Sequence, residues 1–118
     1  MAVTLVVDDD PAVRNVASRI LRAAGHDVVT ASNGVEAIGL YRFAPDRFDL
    51  VITDVTMPVM DGRQLALLVR ETRPGARIIC MSGLAEAGFP EGIIFLPKPF
   101  TAEALRASVD NLLRGLNG

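Results

Sequence analysis

Four polar groups in the sequence each stand directly after an apolar run, and together they contain the residue types that phosphoryl transfer requires. They are Asp8-Asp9-Asp10, Asp54, Ser82-Gly83 and Lys98-Pro99. Carboxylates placed close together repel one another, and a hard divalent cation with oxygen ligands removes that conflict. Mg²⁺ is the cation that suits a few carboxylates plus water. With a hydroxyl and an ammonium opposite as donors for an anion, these groups predict a phosphoryl-transfer site.

The sequence between these groups predicts the elements that would bring them together. Five short apolar runs are typical of buried strands: Val3–Val7, Asp27–Ala31, Asp49–Thr53, Arg77–Met81 and Ile93–Leu96. Four stretches with helical spacing follow strands: from Pro11 to about Ala24, from Val35 to about Ala44, from Gly62 to about Thr72, and Ala102–Leu113.

This alternation of strands and helices predicts βαβ units, and hence an α/β fold with a doubly wound parallel sheet. In such a sheet, ligands bind beyond the carboxyl ends of the strands. We therefore expect the four polar groups to meet at one edge. No glycine-rich phosphate loop follows the first strand, which argues against a nucleotide or flavin site.

Composition limits the alternatives. The 118 residues are half hydrophobic and fit a single domain over 1–118. A net charge of −2 gives no footprint for nucleic acid or a membrane surface. The single cysteine, Cys80, excludes a disulfide framework and a cysteine zinc site. No apolar run is long enough to span a bilayer and the start is unlike a signal peptide, so we expect a cytoplasmic protein.

Six segments, taken in order, match the motifs of one known family. They are Leu5–Pro11, Gly25–Ala31, Asn33–Ala37, Asp49–Gly62, Met81–Gly83 and Phe95–Phe100. Over nearly its whole length the chain resembles the receiver (response-regulator) domain of two-component phosphorelay signalling. Its motifs are most similar to those of receivers attached to hybrid histidine kinases. The resemblance implies a five-stranded parallel sheet in the flavodoxin-like order 2-1-3-4-5.

The resemblance also implies a reaction and a cofactor. Asp54 would accept a phosphoryl group from a phosphohistidine on a histidine kinase or a histidine phosphotransfer protein. Mg²⁺ would be bound by Asp9, Asp54 and the backbone carbonyl of Thr56, and by Asp8 either directly or through water. On this interpretation the chain is a signalling domain that catalyses only its own phosphorylation and dephosphorylation, and its downstream protein partner is unknown.

Further residues are implied to bind the phosphoryl group and to transmit its presence. Ser82 would hydrogen-bond the phosphoryl group, and Lys98 would pair with it as a point charge. The Lys98-Pro99 peptide bond is expected to be cis. Ser82 and Phe95 would form the switch, in which the aromatic ring moves inward when the serine loop shifts.

The chain departs from the family's pattern between Ser82 and Lys98, where the spacing is shorter than usual. Residues 84–92 contain two glycines and a proline, which disfavour a helix. The helix between the fourth and fifth strands is therefore predicted to be shortened or missing, although that helix normally forms part of the output face.

Two other functions fit parts of the sequence. One is a pseudo-receiver, a binding module that works without phosphorylation, which the shortened segment favours. The other is a small haloacid-dehalogenase-type phosphatase that would use Asp8 as its nucleophile, because Asp8 and Asp10 follow a buried strand. That enzyme would leave Asp54 and its loop unexplained. The aspartate that becomes phosphorylated distinguishes the three functions.

Overall fold

A computed structural model describes residues 2–81 and 88–114, which form a parallel sheet with helices on both faces. The strands are β1 (Val3–Val7), β2 (Asp27–Ala31), β3 (Leu50–Asp54), β4 (Ile78–Met81) and β5 (Ile94–Leu96). The helices are α1 (Pro11–Ala23), α2 (Gly34–Phe43), α3 (Gly62–Thr72) and α4 (Ala102–Arg114), with a 3₁₀ helix at Pro45–Arg47. The sheet order is β2-β1-β3-β4-β5, which confirms the predicted fold.

The strand limits differ from the predicted ones by single residues. β3 begins at Leu50 and ends at Asp54, one residue later than predicted at each end, although Asp49 is also bound to β1: its backbone N–H donates to the oxygen of Val3 at 2.8 Å. One carboxylate oxygen of Asp49 accepts a hydrogen bond from the backbone N–H of Val3 at 2.8 Å. β4 and β5 each begin one residue later than predicted, and α2 begins one residue earlier, at Gly34. The 3₁₀ helix was not predicted.

Among the described residues, one pair of helices packs on each face of the sheet. Leu50 and Ile52 of β3 point toward α1 and α4, whereas Val51 points toward α2 and α3. All five residues of β3 are buried, as expected for a central parallel strand. Tyr41 and Phe48 stack with ring centroids 5.9 Å apart on the α2 side. Within the described ranges, no helix is long and apolar enough to cross a membrane.

The helix starts are fixed by polar side chains at the same edge as the strand ends. The Asp10 carboxylate accepts a hydrogen bond from the N–H of Ala12 at 2.9 Å, and Pro11 occupies the first helical position. Asp61 and Gln64 form a reciprocal capping box at the start of α3. Asn33 and Thr101 cap α2 and α4 through their side-chain oxygens. The chain therefore turns sharply at each strand end.

The connection from β4 to β5 contains no helix over residues 88–93. The prediction of a shortened or missing helix holds over that part, while residues 82–87 lie outside the described residues. We call residues 88–92 the strap. Its Phe89, with Ile93 just beyond it, packs on the α2 and α3 side of the sheet. Arg70 of α3 donates to the backbone oxygens of Glu91 and Ala76.

Candidate functional site

The carboxyl ends of β1 and β3 bring three carboxylates together. β1 and β3 are parallel neighbours in which Val7 is paired with Thr53, so the residues that follow emerge side by side. Asp8 and Asp9 follow β1, and Asp54 is the last residue of β3. One carboxylate oxygen of each lies within 4.8 Å of those of the other two.

Lys98 adds a positive charge to this cluster from the far edge of the sheet. Its Nζ lies 3.1 Å from Oδ2 of Asp8 and 3.2 Å from Oδ1 of Asp54. Lys98 stands two residues beyond β5, and the Lys98–Pro99 peptide bond is cis, as the resemblance implied. The ammonium thus bridges two carboxylates that are carried by different strands.

Burial has the largest influence on the pKa of Asp8. Its side chain is fully buried, and this desolvation raises the pKa of Asp8 above its usual value of 3.8. A 2.9 Å hydrogen bond from the N–H of Asp10 and the Lys98 ammonium act against that rise. Burial alone would lower the pKa of Lys98. Its hydrogen bonds to Asp8 and Asp54, and their charges, outweigh burial and raise that pKa.

The arrangement fits a divalent cation. Lys98 offsets only one of three negative charges, and carboxylate oxygens are the ligands that Mg²⁺ prefers. Asp9 is exposed, so a cation held here would keep water molecules on its solvent side, as Mg²⁺ usually does. Asp10 serves as the α1 cap and lies outside the cluster.

The two carboxylates that contact Lys98 differ in access. The side chain of Asp54 is 12% exposed and that of Asp8 is 0% exposed. A phosphoryl group arriving from solvent can therefore reach Asp54 but not Asp8. This difference argues against the phosphatase hypothesis, which needs Asp8 as the nucleophile.

The remaining predicted residues lie around this centre. Thr56 is exposed in the loop two residues beyond Asp54. Phe95 in β5 is half-buried and meets Phe89 of the strap edge-on, with ring centroids 5.0 Å apart. Ser82 lies outside the described residues. Its role stays a prediction.

Sequence reasoning missed the role of Arg14, and it placed Gly62 in a turn without predicting its close packing against Asp54. Nη1 of Arg14 donates to the backbone oxygen of Asp8 at 2.7 Å. Gly62 packs so closely under the end of β3 that a Cβ there would collide with the carbonyl oxygen of Asp54. The only signals were an arginine in the first turns of the helix after the acids, and an Asp-Gly pair at a helix start.

Comparison with known proteins confirms the resemblance drawn from the motifs. A family model described as the response regulator receiver domain matches residues 4–110. The sensor kinase CckA of Brucella abortus (strain 2308) is 37% identical over 95% of this chain. The solved receiver domain of the hybrid histidine kinase CckA is 38% identical, with a TM-score of 0.82 over 94% of this chain and 98% of that one. A receiver domain protein from Clostridium thermocellum is 26% identical, with a TM-score of 0.91 over 99% and 98% of the two chains.

The relatives differ greatly in length from this chain. It spans 12% of the Brucella sensor kinase and 24% of the transcriptional regulator NtrC from Azospirillum brasilense, which is 39% identical to it. The likeness therefore concerns one domain of each relative, and the activities of the whole relatives do not transfer with it.

Proposed function

Since this chain belongs to the response regulator receiver domain family, we propose that it is a phosphoacceptor switch in which Asp54 takes a phosphoryl group from a phosphohistidine. One observation carries this proposal: the carboxylates of Asp8, Asp9 and Asp54 converge within 4.8 Å beside the Lys98 ammonium. Such a cluster is costly to fold unless it binds a cation, so its presence favours a functional origin.

Phosphoryl transfer to Asp54 forms one bond and breaks one. A carboxylate oxygen of Asp54 attacks the phosphorus, the P–N bond to the donor imidazole breaks, and its electron pair remains on the imidazole nitrogen. Mg²⁺ bound by Asp8, Asp9, Asp54 and the carbonyl of Thr56 would supply positive charge for the phosphoryl oxygens. Lys98, which already contacts Asp54 at 3.2 Å, can pair with the phosphoryl oxygens of the product.

The response to phosphorylation would be a population shift between two conformations. In the proposed switch, Ser82 hydrogen-bonds the phosphoryl group and Phe95 moves inward. β5 connects these events to the site, because it carries Phe95 and leads to Lys98 within three residues. Lys98→Ala should leave Mg²⁺ binding largely intact and abolish the change in the protein's spectrum that reports the conformational switch on phosphorylation. If that spectral change is unaltered in the variant, Lys98 has no part in the switch.

A groove beside Lys98 is where the protein donor would dock. It has a volume of about 420 Å³ and a mainly apolar lining of Ala12, Val13, Val16, Lys98, Pro99 and Phe100. At Val16 it continues into a groove of about 290 Å³ whose lining includes Arg19 and Arg106. Because it begins at a residue that contacts Asp54, a helix of the donor lying there would present its phosphohistidine to the site.

The first experiment maps the phosphorylated residue. The protein is incubated with Mg²⁺ and acetyl phosphate, and the modification is located by mass spectrometry. We expect one acid-stable, base-labile phosphoryl group on Asp54, and none in Asp54→Asn. Full modification of that variant, or turnover through Asp8, would refute the assignment. An intact fold with no modification would point to the phosphorylation-independent binding module.

The second experiment separates docking from chemistry. Val16→Glu places a charge in the groove and should slow transfer from a histidine-phosphorylated phosphotransfer protein. It should leave the rate with acetyl phosphate unchanged, because that donor needs no docking surface. Phe43→Glu is the matched control: Phe43 is also exposed, but it lies at the end of α2 away from the groove. Equal slowing by both substitutions would contradict docking in the groove.

A further inference from the structure

Arg14 ties the start of α1 back to the end of β1. Nη1 of Arg14 donates to the backbone oxygen of Asp8 at 2.7 Å. The backbone of Arg14 is itself held, because its N–H donates to the oxygen of Asp10 at 3.0 Å and its oxygen accepts from Oγ of Ser18 at 2.7 Å. The guanidinium therefore extends from a fixed point on the helix to the peptide group that joins Asp8 to Asp9.

That peptide group orients two of the three carboxylates in the cluster, but they depend on it to different degrees. The carboxylate of Asp8 is held independently by the N–H of Asp10 and by Lys98, at 2.9 and 3.1 Å. Asp9 is exposed, and among the described residues no hydrogen bond to its carboxylate is present. Of the described groups, it is therefore the backbone of Asp9 that directs its side chain, and the hydrogen bond to the Asp8 oxygen helps to fix that backbone.

We infer that Arg14 is a positioning residue for the divalent cation, and that it acts by holding the Asp8–Asp9 peptide so that Asp9 faces the site. This inference rests on the proposed function. An arginine is suited to this role because its planar guanidinium offers several N–H donors in a fixed geometry. Partners of this kind, one step removed from the metal, typically tune affinity strongly.

A positioning role and a purely electrostatic role predict opposite results. A cation near an acidic site repels Mg²⁺, so removing the charge of Arg14 would tighten Mg²⁺ binding if charge were all that mattered. Removing the hydrogen bond instead frees the Asp9 backbone and weakens binding. The sign of the change in Mg²⁺ affinity therefore distinguishes the two roles without any measurement of phosphorylation.

The test is a calorimetric titration of the whole chain with Mg²⁺ alone. Arg14→Met keeps the aliphatic stem and helix preference but removes the donor, and its dissociation constant should rise on the order of tenfold. Arg14→Ala should behave alike and serves if the Met variant folds poorly. Arg14→Lys, which keeps a donor, should recover most of the affinity. Arg22→Ala removes the same charge from the other end of α1 and should change little.

A double substitution tests the route through Asp9. Asp9→Asn weakens the ligand itself, so adding Arg14→Met to it should cause no further loss of Mg²⁺ affinity. If the double variant loses affinity by the product of the two single losses, the route through Asp9 is wrong. Unchanged or tighter Mg²⁺ binding by Arg14→Met alone would also overturn it. If the unsubstituted chain binds no Mg²⁺, both this inference and the proposed function fail. If it binds Mg²⁺ and Arg14→Met binds equally well, only this inference fails.

Discussion

The connections from β3 to β4 and from β4 to β5 cover the same face of the sheet by different means. The first contains α3, which begins with a capping box at Asp61 and buries Leu65 and Val69. The second has no helix over 88–93, and there Phe89 of the strap and its neighbour Ile93 supply the apolar contact.

The difference lies in how the backbone polar groups are satisfied. A helix pairs its own N–H and C=O groups, so α3 needs side chains only at its ends. The strap depends on a neighbour: Nε of Arg70 donates to Ala76 at 2.6 Å, and Nη1 of the same residue donates to Glu91. One side chain of α3 thus joins the strap to the start of β4, and irregular backbone remains ordered because a regular element supports it.

The largest loss of stability is expected for a substitution at Gly62, where the connection from β3 to β4 begins. A Cβ on Gly62 would collide with the carbonyl of Asp54 and lie 2.8 Å from Cα of Val55, and neither backbone atom can move easily. Gly62→Ala should therefore lower the free energy of unfolding by about 3 kcal/mol. Gly39→Ala in α2, where a Cβ meets nothing within 4 Å, should raise it by about 0.5 kcal/mol. Urea unfolding compares them, and equal effects would contradict the packing assigned to Gly62.

Truncating one apolar side chain in each connection measures how much each cover contributes. Leu65 of α3 is fully buried, and Leu65→Ala should cost about 3 kcal/mol. Phe89 of the strap is half-buried against Phe95, so Phe89→Ala should cost less, about 2 kcal/mol. Thermal and urea unfolding provide both values. No loss in Phe89→Ala would show that the strap does not stabilise the sheet.

Removing the side chain of Arg70 should affect the strap more than α3, the helix to which Arg70 belongs. Arg70→Ala deletes two hydrogen bonds to backbone oxygens and should cost about 1 kcal/mol. Amide hydrogen exchange should then rise in 88–93 and stay nearly unchanged in α3. Arg19→Ala, an exposed arginine of α1, is the control for the lost charge. Exchange that rises equally throughout would count against a local tether.

The loop that begins the first connection contains a strained residue. Val59 has a φ of 69° and is 90% exposed, although a β-branched residue strongly disfavours this conformation. Val59→Asn should raise stability by about 1 kcal/mol, because asparagine tolerates the left-handed region and little packing is lost. Val35→Asn, at an exposed position in α2 with ordinary backbone angles, should bring no such gain. Urea unfolding of the two variants compares them, and an equal response would contradict strain at Val59.

The connection from β4 to β5 leads to Lys98, which contacts Asp8. The pH dependence of stability tests the raised pKa of Asp8. Burial raises the pKa of Asp8 above 3.8 in the folded state, so folding favours its protonated form. As pH rises from 3.8 through the raised pKa, the natural protein should lose stability that Asp8→Asn does not lose. Urea unfolding of both proteins without Mg²⁺ compares their free energies of unfolding. The value for Asp8→Asn minus the value for the natural protein should rise over this window and then stay constant. A difference that falls as pH rises would contradict the direction of the shift.

Most of the fold could be predicted because each strand is a compact apolar run and each helix start carries a polar cap. The convergence of Asp8, Asp9 and Asp54 was predictable for a related reason, since these acids stand at the end of an apolar run or directly after it. The contact of Lys98 with Asp8 spans 90 residues of sequence, and only the parallel topology brings these two residues together. The tether from Arg70 to Glu91 spans 21 residues and depends on packing, so no local pattern indicates it. Val59 was unpredictable because the loop overrides the preference of its side chain.

β5 also bears on how the protein stays free of intermolecular sheets. Within the described residues it pairs with β4 alone, at one end of the sheet, and it has three residues, Ile94–Leu96. The exposed Pro97 and Pro99 that follow lack N–H groups, so a strand from another molecule would find few donors with which to extend the ladder. The segment that carries Lys98 to the site therefore also protects this edge against aggregation.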